Sequence, residues 1–181
     1  SGNGTLSGTL VVPTDADGVA TFDTLSVNLA GTKQLTAKSA GLTDAVSSTF
    51  TISAGAASKL GFAQQPTNTV AGETITPAVK VELQDTYGNL VSSSGVNITL
   101  SKTSGTGVLS GTLTVATVNG VATFSDLSID LIGNKQLTAN SAGLSGVSSI
   151  FTITAGSPAN IVFVEQPSDV QAGGNFGPVV V

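Results

Sequence analysis

The feature that most constrains this chain is that it repeats itself. The string LSGTL at 6–10 returns at 109–113, GVATF at 18–22 returns at 120–124, and KQLTA at 33–37 returns at 135–139. SAGL at 39–42 matches 141–144, FTI at 50–52 matches 151–153, and KLGFAQQP at 59–66 reads against NIVFVEQP at 160–167. The offset is 103 at first, then 102, then 101. Self-similarity at a near-constant period means one structural unit used more than once. Both single-residue changes in offset fall in turn-like stretches, where PTDADG at 13–18 faces ATVNG at 116–120 and LTDAVSSTF at 42–50 faces LSGVSSIF at 144–151. Length changes of this size belong to loops between matching strands.

The repeat divides the chain. Residues 58–158 make one complete unit of about 101–103 residues, residues 1–57 the C-terminal part of a preceding unit, and residues 159–181 the first strands of a following one. The joints, AGAAS at 54–58 and AGSPA at 155–159, are short and uncharged. By the offsets, Ser1 stands at the place of Ser104 and Val181 at the place of Lys80, so both ends fall inside a repeat. The expectation is a parent chain with further such repeats on either side. A variant has neighbouring copies exchanging strands, residues 159–181 of one pairing onto residues 1–57 of the next.

Within the complete unit the pattern is that of strands and turns. Over 78–84 Val79, Val81 and Leu83 alternate with Lys80, Glu82 and Gln84; over 96–101 Val96, Ile98 and Leu100 alternate with Asn97, Thr99 and Ser101. Period-2 alternation places one set of side chains in a core and the other in water. Residues 85–89 (DTYGN) form a turn, and Asn119-Gly120 is a two-residue hairpin signal. Further strands are expected at 60–63, ended by Pro66, and at 113–118, 121–124, 136–139 and 150–153, while no window carries helical periodicity. About seven strands in a unit of this length is the count of an immunoglobulin-like antiparallel sandwich. Its core should hold Val79, Val81, Leu83, Ile98, Leu100, Phe124, Leu137 and Phe151.

The run VKVELQDTYGNLV at 79–91, VNITLS at 96–101, NGVATF at 119–124, and Gly133 followed by QLTA at 136–139 resemble the bacterial immunoglobulin-like repeats of invasin- and intimin-type surface proteins. The resemblance spans nearly the whole unit. It implies tandem immunoglobulin-like sandwiches, which in such proteins commonly form stalks, with adhesion often carried by a separate terminal domain.

Composition narrows the function classes. The chain has no Cys and no His, and its six cations are all lysine, against eleven acids, for a net charge of −5. A nucleic-acid partner, which calls for clustered Lys and Arg on one face, is not expected. No apolar run approaches the ~20 residues of a membrane-spanning helix. Only 9% of residues are charged, and Ser and Thr number 47. A surface of that kind, with few oxidisable side chains, suits a chain outside the cell or on a bacterial surface.

Without His or Cys, neither a Ser–His nor a Cys–His nucleophile system is available, nor a His or Cys zinc site. The unit's carboxylates, Glu73, Glu82, Asp85, Asp126 and Asp130, offer candidates for a glycosidase pair. Thr14-Asp15-Ala16-Asp17-Gly18 faintly resembles a calcium loop, as more weakly does Asp85 with Asn89, but the first is lost in the second copy, where Val118 and Asn119 replace its acids. Lys80, Lys102 and Lys135, with Glu82 or Asp85 as catalytic acid, are the groups an intramolecular isopeptide bond would use; solvated strand-face lysine is the plainer reading. Asn3-Gly4-Thr5 and Asn97-Ile98-Thr99 fit the N-glycosylation pattern. Tyr87, the only tyrosine, is a ligand contact or, preferably, a ring packed over the end of the sandwich.

Weighed together, these leave no catalytic, cofactor-binding or metal-binding residue assigned. The expected function is that of a structural spacer or building unit in an extracellular fibre, stalk or adhesin, not an enzyme. Its partners would be neighbouring immunoglobulin-like repeats or copies of the same chain. The alternatives are a glycan- or protein-binding module and an accessory domain of a large secreted enzyme.

Overall fold

The computed structural model describes residues 2–175 and 177–181, and every element in it is a β-strand. Residues 1–57 carry six short strands: β1 (Leu6–Ser7), β2 (Ser26–Val27), β3 (Gly31–Lys33), β4 (Thr36–Ala37), β5 (Ala45–Val46) and β6 (Phe50–Ile52). The complete unit carries β7 (Lys59–Gln64), β8 (Thr69–Val70), β9 (Val79–Gln84), β10 (Asn97–Ser104), β11 (Leu109–Ser110), β12 (Thr114–Ala116), β13 (Val121–Phe124), β14 (Ser128–Ile129), β15 (Gly133–Ser141), β16 (Leu144–Val147) and β17 (Phe151–Thr154).

Two sheets face each other. One has the order β13-β9-β7; the other runs β12-β10-β15-β17-β8, with β16 hydrogen-bonded to β15. The alternation in the sequence sets their inner faces. Val79, Val81 and Leu83 of β9 meet Ile98 and Leu100 of β10, Phe124 of β13, Leu137 of β15 and Phe151 of β17 in a single buried cluster. All eight expected core residues lie in it, joined by Leu60, Ile75, Leu127, Ile129 and Ile153. The Asn119-Gly120 turn also forms as the dipeptide demands. Both residues have positive φ, 49° and 84°, and Val118 and Val121 exchange backbone hydrogen bonds across it.

The structure corrects the expected architecture in two respects. The sandwich is not wholly antiparallel, because β8 pairs in parallel with β17, Thr69 opposite Ile153. After Pro66 the chain leaves β7 and crosses to the second sheet, arriving beside the last strand in the same direction. Four strands, β8, β11, β14 and β16, were also not expected. All but one are of two residues, too short to show a period. β16 is longer, and its middle holds a glycine where it crosses β7: a Cβ at Gly146 would lie 2.2 Å from the Leu60 carbonyl oxygen. That close approach draws the two sheets together along one edge.

Residues 159–181 match β7 and β8 in sequence, but among the described residues they hold only a bridge between Glu165 and Val180. In the complete unit β7 pairs with β9.

Candidate functional site: the joint between repeats

A heavily hydrogen-bonded carboxylate lies at the end of β9, in the turn that follows it. Asp85 opens the turn. Its N–H donates to the Asn89 carbonyl (3.0 Å), and its own carbonyl accepts from the Gly88 N–H (3.1 Å). The carboxylate folds back in the way an aspartate at the head of a turn does. Oδ1 accepts from the backbone N–H groups of Tyr87 and Asn89, each at 2.9 Å. Oδ2 accepts from the Asn89 side-chain amide and from the Gly55 N–H, also at 2.9 Å each.

Gly55 belongs to the linker, so one oxygen of Asp85 already holds the preceding repeat. Asn89 adds two more bonds to it. Its Oδ1 accepts from the Ala30 N–H and its Nδ2 donates to the Asn28 carbonyl, both at 2.9 Å. The Ser58 N–H donates to the Gln84 carbonyl at 2.8 Å, which fixes the start of β7 against the end of β9. Asp85 is 3% exposed and Asn89 6%, so the bonds between them are buried and those to Asn28, Ala30 and Gly55 are partly so; shielding from water strengthens them. The Asn89 amide, with the Gly55, Asn89 and Tyr87 N–H groups, holds the Asp85 carboxyl at about 2, below its ordinary 3.8, against burial, which pushes the other way.

The loop being gripped is itself braced. Asn28 Oδ1 accepts from the Thr5 N–H at 2.8 Å, and the Lys33 ammonium donates to the Ala30 carbonyl at 3.2 Å. The joint is therefore a clamp in which a turn of one repeat closes on a loop and linker of the one before.

The remaining candidates are dispersed. Asp15 heads a turn of the same kind as Asp85, its Oδ1 accepting from the Asp17 and Val19 N–H groups. The spacing that resembles a calcium loop is the spacing of that turn. Among the described residues no three of His, Cys, Asp and Glu gather around a common point suited to a metal. Asp126 accepts from the Thr112 hydroxyl and N–H, which hold its carboxyl below the usual range, and Asp130 accepts from the Val108 N–H. Glu82 accepts from Gln84, and Glu73 is exposed.

The lysines differ from one another. Lys80 is exposed on β9, and Lys102 donates to the Gly105 carbonyl. Lys135 is 1% exposed, so the solvated strand-face reading fails for it. Its stem lies over Gly105, where a Cβ would come within 2.8 Å of its Cδ, and its ammonium donates to the Ile132 carbonyl. That bond is at the end of the sandwich away from Asp85, and no bond joins any of the three lysines to Glu82 or Asp85 among the described residues. Tyr87 does not pack over the sandwich end: it is 66% exposed, because the turn commits its backbone to Asp85 and directs its ring outward. Asn3 and Asn97 are both exposed.

A cleft of about 680 Å³ crosses residues 1–57, lined by Leu6, Leu10, Phe22, Leu25 and Leu35 among others. Their counterparts, Leu109, Leu113, Phe124, Leu127 and Leu137, are core residues or pack on the core. The cleft is thus lined by the residues whose counterparts form the inner face of the complete unit.

DTYGN at 85–89 reads as a turn, and its grip on the preceding repeat is not visible from the sequence. The available signal was an aspartate heading a turn and an asparagine closing it, next to a glycine-containing joint. What that signal lacks is the partner, since Asn28 and Ala30 lie some sixty positions earlier.

No protein-family model matches the chain, and no curated protein matches it. Among solved structures it is similar to a β-glycosidase from Bacteroides vulgatus, at 17% identity over 68% of this chain and 17% of that one, with a TM-score of 0.48. A glycosyl hydrolase family 2 member from Bacteroides cellulosilyticus gives 18% identity over 72% of this chain and 18% of that one, TM-score 0.48. Domains 4–9 of surface layer protein SbsC give 17% identity over 87% of this chain and 26% of that one, TM-score 0.40. The chain spans about a quarter or less of the length of each.

Proposed function

We propose that the chain is a structural segment of tandem immunoglobulin-like repeats of the invasin and intimin type, serving as a spacer or building unit in a fibre, stalk or adhesin outside a bacterial cell. The observation that carries the reading is the joint. A linker of a few residues is supplemented by three partly buried hydrogen bonds from Asp85 and Asn89 to the preceding repeat, so successive repeats are held in orientation instead of being merely tethered. Fixed orientation is what a stalk requires of its repeats. Asp85, Asp126 and Asp130 each accept hydrogen bonds from turn or loop N–H groups. The low-charge, Ser- and Thr-rich composition without cysteine supports an extracellular setting.

The test is the rotational diffusion of the two parts in the intact chain, read from backbone ¹⁵N relaxation. Residues 1–57 and 58–158 should tumble with one correlation time. The double variant Asp85→Asn, Asn89→Ala should give residues 1–57 a shorter one. Independent tumbling in the unmodified chain would overturn the spacer reading.

A further inference from the structure

The complete unit presents, at its far end, a copy of the loop that the clamp grips. Residues 27–31 (VNLAG) match residues 129–133 (IDLIG), and the bracing matches bond for bond. Asp130 Oδ1 accepts from the Val108 N–H at 2.7 Å, as Asn28 Oδ1 does from Thr5. Lys135 donates to the Ile132 carbonyl at 2.8 Å, as Lys33 does to Ala30. β11 pairs with β14 in the register in which β1 pairs with β2, Leu109 opposite Ile129 as Leu6 is opposite Val27.

Three backbone groups complete the first joint: the Ala30 N–H, the Asn28 carbonyl and the Gly55 N–H. Their counterparts are the Ile132 N–H, the Asp130 carbonyl and the Gly156 N–H. Among the described residues none of these three has a hydrogen-bond partner. Leu131 and Ile132 beside them are 51% and 58% exposed. Lys135, buried to 1% exposure at this end, has no ion-pair partner among the described residues; its bond goes to the loop's own carbonyl. It positions the loop before any neighbour arrives.

We infer that the loop 130–132 with Gly156 is a preformed socket for a second Asp-x-x-Gly-Asn turn, carried by another repeat of this kind that follows in register. The inference rests on the stacked-repeat reading and names the partner chemistry of the second joint. The incoming aspartate takes the Gly156 N–H. The incoming asparagine accepts from the Ile132 N–H and donates to the Asp130 carbonyl. By the offset of 101, the turn would stand five positions beyond Val181.

Two experiments test this, both read by amide hydrogen exchange. In the first, the full chain is extended in frame after Val181 by a copy of residues 81–158, which continues the register because Val181 stands at the place of Lys80. The Ile132 and Gly156 amides should slow at least tenfold relative to the unextended chain. An alanine in place of the appended asparagine should release Ile132 and leave Gly156 slow. Unchanged exchange at both positions, with the appended strands protected, would overturn the socket. The second keeps the chain at its present length and needs no added domain to fold. Asn28→Asp with Ala30→Ile writes the second loop's sequence into the first joint. If the second loop is a socket for this turn, the residue-30 amide stays within about threefold of its original exchange rate and is released by a further Asn89→Ala. A tenfold release in the double variant alone would show that Asp130 and Ile132 do not fit the clamp. Because the second experiment does not depend on joint rigidity, its failure is distinguishable from failure of the spacer reading.

Discussion

Residues 1–57 and their counterparts from 104 to 158 are near-copies in sequence and differ in what surrounds them. Much of the local structure is the same. β3 pairs with β6 in the register of β15 with β17, and β4 with β5 in that of β15 with β16. Ser47 makes with Leu35 and Gln34 the same bonds that Ser148 makes with Leu137 and Gln136. What differs is everything that needs β9 or β10. The stretch matching β12 forms no strand, because β12 pairs with β10; the stretch matching β13 forms none, because β13 pairs with β9. β15 is a continuous strand of nine residues, whereas its counterpart is broken into β3 and β4. Phe22 is 40% exposed and Phe124 1%. Turns and sequence-local pairs are thus fixed by adjacent residues, and the sheet and core are fixed by strands distant in the sequence.

The largest expected effect sets the two phenylalanines against each other. Phe124→Ala should lower the stability of the complete unit by about 4 kcal/mol, the cost of a large cavity in a packed core. Phe22→Ala should change the stability of its own segment by less than about 1 kcal/mol, because that ring already meets water. Denaturant unfolding followed separately through amide signals of each part checks this, and equal effects would erase the distinction drawn here. Next is the joint. Asn89→Ala should reduce the free energy protecting the Ala30 amide by about 2 kcal/mol, since it removes its partly buried partner, while the β9–β10 core keeps its protection. Loss throughout the complete unit would mean that the joint and the core are one cooperative body.

Acid should act on the same joint. The Asp85 carboxyl titrates at about 2 when folded, below its ordinary 3.8, so the folded state favours its ionised form. The stability it contributes is present above about pH 4 and is lost as the pH falls through about 2. Faster exchange of the Gly55 amide over that window is expected, and Asp85→Asn should flatten it. The smallest effect concerns metal. The tighter turn at Asn119-Gly120 replaces the aspartates of residues 13–18, and the Asp15 carboxylate is already satisfied by N–H groups. Calcium or a chelator should therefore move the melting temperature by less than about 5 °C; a larger shift, roughly 1 kcal/mol for a domain of this size, would place a cation in one of the turns.

What the sequence by itself determined is the part of the structure written in short-range pattern. Its alternation over β9 and β10 named the core, and Asn119-Gly120 specified a hairpin, since each depends on residues within a few positions of one another. Tertiary structure alone decided the rest. Lys135 reads as an exposed strand lysine until Gly105 makes room for its stem thirty positions away. β8 is too short to show a period, and its parallel pairing depends on the last strand of the unit. Asp85 and Asn89 read as an ordinary turn, and only folding carries Asn28, Ala30 and Gly55 to them. The physical reason is common to all three: a hydrogen bond or a buried stem is satisfied by whatever the fold brings near, and the local sequence records only that a donor or an acceptor is waiting.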